Sequence, residues 1–180
     1  MLELSDPRWG ELRSTYGNGA SVVPQLAALK GGNLSKEKQS ILWQEFCHEY
    51  ESTEVGYAAV PHLVQMSEAS EGDQAIFLLG VSAYVVACAQ RHASNEIPEF
   101  LRSFLDDACE RAIQRIALLL PEVRSSTGNV KSLTYIIAAF LRDAPLFFAI
   151  EGLDSGFKCP NCGEVVYQDL SVIGFRGSKE

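Results

Sequence analysis

The chain has 180 residues, of which 47% are hydrophobic and 21% are charged, so it has the size of one domain and the composition of an ordinary globular protein. Its formal net charge of −8 argues against nucleic-acid binding, because binding to phosphates requires a basic surface. The first 90 residues carry 11 acidic and 5 basic side chains, which suits a basic partner, although solubility alone is the alternative reason.

Neither a secretory signal nor a membrane span is predicted. The first residues, MLELSDPRWGEL, lack a basic stretch followed by an apolar one. The longest apolar run, residues 75–89, is shorter than the roughly 20 residues that a spanning helix needs, and we expect it to be a buried helix. Five cysteines in such a chain favour reduced thiols and a cytoplasmic location.

Three prolines recur at a constant spacing of 37 residues: Pro24, Pro61 and Pro98. Each follows a β-branched residue and stands two places before a leucine or phenylalanine. A repeat of this period is typical of stacked helical units. Because proline is tolerated near a helix start, each proline is predicted to open the first helix of a unit.

The segments after these prolines predict the remaining helices. In the first unit an apolar stripe is formed by Leu42, Trp43, Phe46, Cys47 and Tyr50. In the second unit residues 75–89 are apolar nearly all round, which predicts neighbours on every side. In the third unit one unbroken stripe runs from Phe100 to Leu120, so its two helices are predicted to be fused.

Two further helices are predicted before the carboxyl terminus. Residues 130–141 keep helical spacing after a predicted N-cap at Asn129, and residues 144–153 form a short last helix. The loops are brief and polar, and no long linker interrupts the chain. We therefore predict a helical repeat domain over residues 1–153 and a small hairpin with a tail over residues 154–180.

The proline-containing openings resemble HEAT-type α-solenoid repeats. More specifically, residues 5–120 resemble a group of uncharacterised bacterial HEAT-like proteins. The resemblance is carried by Trp9, Leu12, Tyr16, Gly17, the pair Cys47-His48 and the stretch Tyr57 to Leu63. The chain departs from this pattern because it lacks the usual Asp…Val-Arg of the second helices, and because Glu49-Tyr50 follow Cys47-His48. The resemblance implies a fold and no catalytic residues.

The stretch KCPNCGE, residues 158–164, is half of a zinc site. Its Cys159 and Cys162 can direct two thiolates at one tetrahedral Zn²⁺, between a lead-in strand at 157–158 and an outgoing strand at 164–167. A structural site needs two more ligands, for which Cys88, His92 and Cys109 are candidates. A second chain could also supply them, in a metal-linked homodimer. The remaining alternative is an empty, degenerate knuckle.

The other candidate residues favour structural roles. Cys47-His48 lies beside Glu45 and Glu49, but Cys47 falls on the apolar stripe, and a free cysteine usually behaves as a small hydrophobe. His62 is expected on the solvated face of its helix. No phosphate-binding loop, nucleophile elbow or zinc-protease motif occurs. We therefore expect a non-enzymatic protein.

Together these observations predict an all-α protein: a HEAT-like α-solenoid of about three helical hairpins, ending in a small Cys-x-x-Cys β-hairpin. Such stacks bind partners along an extended surface, so the expected function is protein binding, of the immunity type that neutralises a basic toxin. The alternatives are a metal-linked dimeric scaffold or an enzyme with an unrecognised site. The predicted partner-binding residues are Glu45, Glu49, Glu51, Glu54, Glu68, Glu71, Asp73, Tyr50 and Tyr57, with Trp9 and Tyr16 as further aromatic anchors.

Overall fold

A computed structural model describes residues 1–90, 96–123, 127–151, 157–158 and 165–166. Within these ranges the chain forms seven α-helices and two small antiparallel sheets, which confirms the predicted all-α class. The helices are α1 (Val23–Lys30), α2 (Lys36–Phe46), α3 (Glu54–Glu68), α4 (Gly72–Ala89), α5 (Glu99–Val123), α6 (Thr127–Phe140) and α7 (Ala144–Glu151). The strands are β1 (Cys47–His48), β2 (Glu51–Ser52), β3 (Phe157–Lys158) and β4 (Val165–Val166).

Two of the three repeated prolines stand at helix starts. Pro24 is the second residue of α1, and Pro98 immediately precedes α5, where its carbonyl accepts a 2.8 Å hydrogen bond from the Leu101 amide. The prediction for Pro61 is wrong, because it lies inside α3. That helix starts earlier because Thr53 caps it, its Oγ1 accepting a hydrogen bond from the Gly56 amide at 3.0 Å.

The helices pack in a regular order around α3 and α4. Helix α3 packs against α4 and α5, while α4 and α5 both pack against α6. Helix α7 closes the far end by packing on α6 and α4. The single long helix predicted between Phe100 and Leu120 is confirmed, since α5 is one helix of 25 residues.

Helix α4 is, within the described ranges, the one helix long and apolar enough to cross a membrane by length and composition alone. More than half of it (56%) is buried inside the fold, as expected for a core helix. The prediction of neighbours on every side is nevertheless wrong for one face, because Phe77 on that face is 43% exposed.

The predicted cap of α6 is also wrong. The helix begins at Thr127, so Asn129 is its third residue, and the Asn129 side chain instead donates a 3.0 Å hydrogen bond to Asp73. The short last helix is confirmed as α7.

The amino-terminal segment folds back over the helices through two short 3₁₀ turns, Pro7–Glu11 and Gly19–Ser21. Trp9 is only 2% exposed, and its indole N–H donates to the Glu3 carbonyl at 2.9 Å. Trp9 is therefore a core residue, and the expectation of an exposed anchor is wrong for it. Tyr16, in contrast, is 63% exposed.

Two hairpins complete the fold. Strands β1 and β2 pair Cys47 with Ser52 across a two-residue turn. Strands β3 and β4 pair Phe157 with Val166, in the place where a hairpin was predicted. Cys159, Cys162 and the predicted domain boundary at residue 153 lie outside the described residues.

Candidate functional site

An apolar groove of about 610 Å³ runs along α4, with α2 on one side and α6 on the other. Each helix contributes residues spaced three or four apart, so that one face of each lines the groove. Four aromatic side chains dominate the lining: Trp43, Phe77, Tyr84 and Tyr135. Gly80 lies between them on α4, where its lack of a side chain leaves space.

Side-chain contacts join the helices that form the groove. At one end Asn129 of α6 donates to Asp73 of α4, which ties the first turns of the two helices together. Trp43 meets Phe77 edge-on, with 5.5 Å between ring centroids, and so joins α2 to α4. Glu151, the last residue of α7, lines the groove as well.

The β1–β2 hairpin lies at the other end and contains an unusual turn. Its two turn residues, Glu49 and Tyr50, both have left-handed backbones, with φ of 48° and 67°. Turns of this kind favour asparagine and glycine, because other residues are strained there by roughly 1–2 kcal/mol. Ring contacts hold Tyr50 in place, at 6.1 Å from Tyr84 and 5.8 Å from Phe148.

Two cysteines, Cys47 and Cys88, lie at this end of the groove. Cys47 lines the groove and is half-buried, whereas Cys88 on α4 is fully buried. A hydrogen bond from the Cys88 thiol holds the pKa of Cys47 below its usual value, with a smaller contribution from Ser52, while burial and Glu51 act in the opposite direction. Cys109 differs, because burial raises its pKa to about 11.

The tyrosine hydroxyls near this end stay protonated at neutral pH. Burial is the main reason that the pKa of Tyr84 lies well above its usual range, and neighbouring Cys88, Tyr50 and Glu151 add to the effect. The pKa of Tyr57 is raised by burial as well. Tyr84 therefore presents a neutral phenol to the groove.

The predicted acidic surface is only partly present. Glu45 is 8% exposed and accepts a hydrogen bond from the Tyr16 amide at 3.3 Å, and Tyr57 is 1% exposed. Neither lies on a surface that a partner can reach. Their burial follows from their neighbours, since the amino-terminal segment covers Glu45 and the packing of α3 in the core encloses Tyr57.

The other predicted partner-binding residues lie at or near the surface but form two separate groups. Glu49, Tyr50 and Glu51 are exposed on the hairpin, and nearby Glu54 is half-buried. The second group is at the turn between α3 and α4. There Glu68 is engaged by Arg111 at 2.5 Å, while Glu71 and Asp73 are exposed. The sequence did not separate these two groups.

Within the described residues, no group of three or more His, Cys, Asp or Glu side chains is placed to hold a metal ion. Cys159 and Cys162, the predicted Zn²⁺ ligands, lie outside those residues, as does His92. The zinc half-site therefore stays a prediction. Of its candidate completing ligands, Cys88 and Cys109 are both buried.

The groove itself was missed in the sequence. Its signal was present in α4, where Phe77, Gly80 and Tyr84 interrupt a run of aliphatic residues on one face. Large aromatic side chains on one face of an otherwise aliphatic helix, with a glycine between them, leave room for a groove on that face. Because residues 75–89 are apolar on nearly every side, the sequence pattern did not distinguish the groove-facing side of α4 from its buried sides.

A comparison of the chain with protein-family models, with curated proteins and with solved structures finds no match. The fold and the site thus define a class only: a mostly helical protein with an aromatic-lined groove along its central helix.

Proposed function

We propose that this chain is a non-enzymatic protein-binding module of the HEAT-like helical-repeat type, and that its groove receives apolar side chains of a basic protein partner. We further propose that it acts as an immunity-type protein in the cytoplasm, neutralising a basic toxin by covering part of its surface. The observation that carries the proposal is the aromatic groove along α4, with carboxylates at both ends.

The size and lining of the groove suit an anchor from another protein. At about 610 Å³ it falls in the range of roughly 300–1,000 Å³ typical of binding pockets. Aromatic side chains such as Trp43 and Phe77 are enriched among residues that dominate binding energy, because they bury a large area with few rotatable bonds. The exposed part of Phe77 would also be removed from water when a partner binds.

The charges around the groove favour a basic partner. Asp73 lies in the first turn of α4, and Glu151 acts on the pKa of Tyr84, which stands eleven residues further along, or about 16 Å along the helix axis. Glu49 and Glu51 extend the acidic surface beside the second end. With a net charge of −8, the chain would steer a cationic protein toward this face, and salt would weaken the attraction.

The packing order of the helices supports the repeat scaffold. Helix α3 packs on α5, and α4 packs on α6. If α5 as a whole is counted as the first helix of the last hairpin and α6 as its second, the first helices of two successive hairpins are neighbours and so are the second helices. Stacked repeats make contacts of this kind. In such a scaffold the groove lies on the second-helix side of the stack.

The test replaces Phe77 with the photo-crosslinking residue benzoylphenylalanine in the cells that express the protein. The matched control carries the same residue at Leu118, which is 65% exposed on α5 and does not line the groove. We expect irradiation to link a basic protein to position 77 and not to position 118. Cross-linking of the same proteins at both positions would contradict the proposal.

The linked partner is then purified and its binding measured against Gly80→Leu, which fills the groove. A Cβ at Gly80 would meet only Ile136, at 3.7 Å, so this variant is expected to fold. Binding should weaken by about tenfold or more, and rising salt should weaken wild-type binding as well. If the partner is a toxin, wild-type protein should protect cells from it and Gly80→Leu should not. Unchanged affinity in Gly80→Leu would rule out the groove as the binding site.

A further inference from the structure

A strand pair and one hydrogen bond place Cys47 and Cys88 at the same end of the groove. Cys47 and Ser52 are directly paired on β1 and β2, so their side chains share one face of the hairpin. The Ser52 hydroxyl donates a 2.6 Å hydrogen bond to the Val85 carbonyl of α4. Cys88 stands three residues after Val85, on the same side of that helix. The hydrogen bond thus places the Cys47 side chain beside the turn of α4 that carries Cys88.

We propose that Cys47 and Cys88 form a dithiol redox site, in which a small hydroperoxide oxidises Cys47 and Cys88 converts the product into an intramolecular disulfide. This inference does not depend on the binding function proposed above. The pairing of Cys47 with Ser52 and the hydrogen bond from Ser52 to α4 place the two cysteines at the same end of the groove, and they differ in access in the way that such a reaction requires.

The half-buried Cys47 is the group that meets the oxidant. It lines an open groove whose apolar walls admit a small neutral molecule such as hydrogen peroxide. The thiolate is the reactive form, and the hydrogen bond from Cys88 favours it at Cys47. Fully buried Cys88 is shielded from the oxidant and positioned to react only with Cys47.

The reaction balances with the hydroperoxide as the sole oxidant. The Cys47 thiolate attacks the terminal oxygen of the hydroperoxide, so that an S–O bond forms, the O–O bond breaks, and an alcohol or water leaves with a proton. The Cys88 sulfur then attacks the sulfenic sulfur of Cys47. An S–S bond forms, the S–O bond breaks, and the released hydroxide takes the Cys88 proton as water. Two thiols lose two electrons in total, and a dithiol reductant would reverse the change by thiol–disulfide exchange.

The test uses the full chain carrying Cys159→Ser and Cys162→Ser, which removes a second possible disulfide. The protein is treated with one equivalent of hydrogen peroxide, alkylated and digested. Because no lysine or arginine lies between Lys38 and Arg91, trypsin leaves both cysteines in one peptide. Cleavage after glutamate separates them, and the disulfide then joins residues 46–49 to residues 72–96. We expect this linked pair, with the loss of two hydrogens from the intact mass.

Single variants in the same background identify the two roles. Cys88→Ala should accumulate a sulfenic acid at Cys47 that dimedone traps, while Cys47→Ala should leave Cys88 unoxidised. Cys109→Ala is the matched control and should form the disulfide normally. In the wild-type background, iodoacetamide should alkylate Cys47 about tenfold or more faster than Cys109. A folded protein that yields no linked pair, or a Cys88→Ala variant with no dimedone adduct at Cys47, would overturn the proposal.

Discussion

The imidazole of His62 donates a 2.8 Å hydrogen bond from Nε2 to the carbonyl oxygen of Leu2, which joins the middle of α3 to the first residues of the chain. His62 is 2% exposed and lies 6.0 Å from the Trp9 ring, so the expectation of a solvated position is wrong. Because the carbonyl can only accept, the proton is on Nε2, and Nδ1 has no hydrogen-bond partner among the described residues.

This burial predicts a loss of stability in mild acid. Burial is the main cause that lowers the pKa of His62 below 6.5, with Lys30 and the amino terminus acting in the same direction and Glu3 and the Leu2 contact opposing them. The unfolded chain therefore binds more protons than the folded one just below pH 6.5. The free energy of unfolding should be fully retained above about pH 6.5 and should fall as the pH drops below it.

The measurement is urea unfolding at a series of pH values from about 7.5 down to about 5. His62→Gln, which keeps an N–H donor but cannot titrate, should show a smaller decrease over this window. His48→Gln is the control, because the His48 side chain is 44% exposed, and it should retain the wild-type decrease. An identical pH profile in His62→Gln would contradict the assignment.

Two helical glycines should respond in opposite ways to alanine. Gly80→Ala should raise the free energy of unfolding by about 0.5–1 kcal/mol, because a Cβ there makes only an ordinary contact and alanine favours the helix. Gly56→Ala should lower it by about 1–3 kcal/mol, because its Cβ would sit 2.4 Å from the Phe46 carbonyl oxygen and force α2 and α3 apart. Denaturant unfolding of both variants checks this; equal effects would show that the helices do not approach each other at Gly56.

A substitution that removes backbone strain from the β1–β2 turn should stabilise the protein. Glu49→Asn should raise the free energy of unfolding by about 0.5–1 kcal/mol, because asparagine tolerates a positive φ better than glutamate. The contact between Glu49 and His48, at 3.8 Å on an exposed surface, is an ion pair only when the imidazole is protonated and adds little to stability, so its removal has a small effect. Glu51→Asn removes the same charge from the neighbouring strand and should give no such gain. Thermal unfolding of the two variants distinguishes turn strain from charge, and equal shifts would point to charge.

Two arginines on α5 make contacts of different strength. Arg111 pairs with Glu68 on the surface, where both side chains are more than a third exposed, so Arg111→Ala should cost less than about 1 kcal/mol. Arg115 donates to the carbonyls of Ser67 and Ser70, at 3.1 and 2.6 Å, where α3 ends. Arg115→Ala should cost about 1–3 kcal/mol because it removes the charged donor from both carbonyls, although the Ser67 carbonyl keeps the Ser70 amide as a donor. Unfolding at low and high salt checks both values, and only the Arg111 effect should diminish with salt.

The positions of most helices could be predicted from the sequence, because helical periodicity is a local property. The stripe from Phe100 to Leu120 predicted one long helix, and α5 has that form. Pro61 misled the prediction because a proline can be accommodated inside a helix when packing compensates for the missing hydrogen bond. Asn129 misled it because its side chain reaches another helix instead of its own backbone.

The residues of the candidate site depended on contacts between distant parts of the chain. Cys47 and Cys88 are 41 residues apart, and each taken alone has the character of a small core hydrophobe. Glu45 carries a charge that predicts exposure, yet the amino-terminal segment covers it and supplies a hydrogen bond. Nothing in a local pattern distinguishes such a residue from the exposed Glu49 four positions later.

The sequence by itself determined the all-α class, the helix order and the acidic balance, since these follow from composition and from the spacing of apolar residues within single helices. Only the tertiary structure decided that α2 and α6 leave one face of α4 open, that His62 and Tyr57 are buried, and that Cys47 and Cys88 lie at the same end of the groove. Those outcomes depend on how the helices pack against one another. Packing is fixed by the fit of side chains from several segments together, which no single segment encodes.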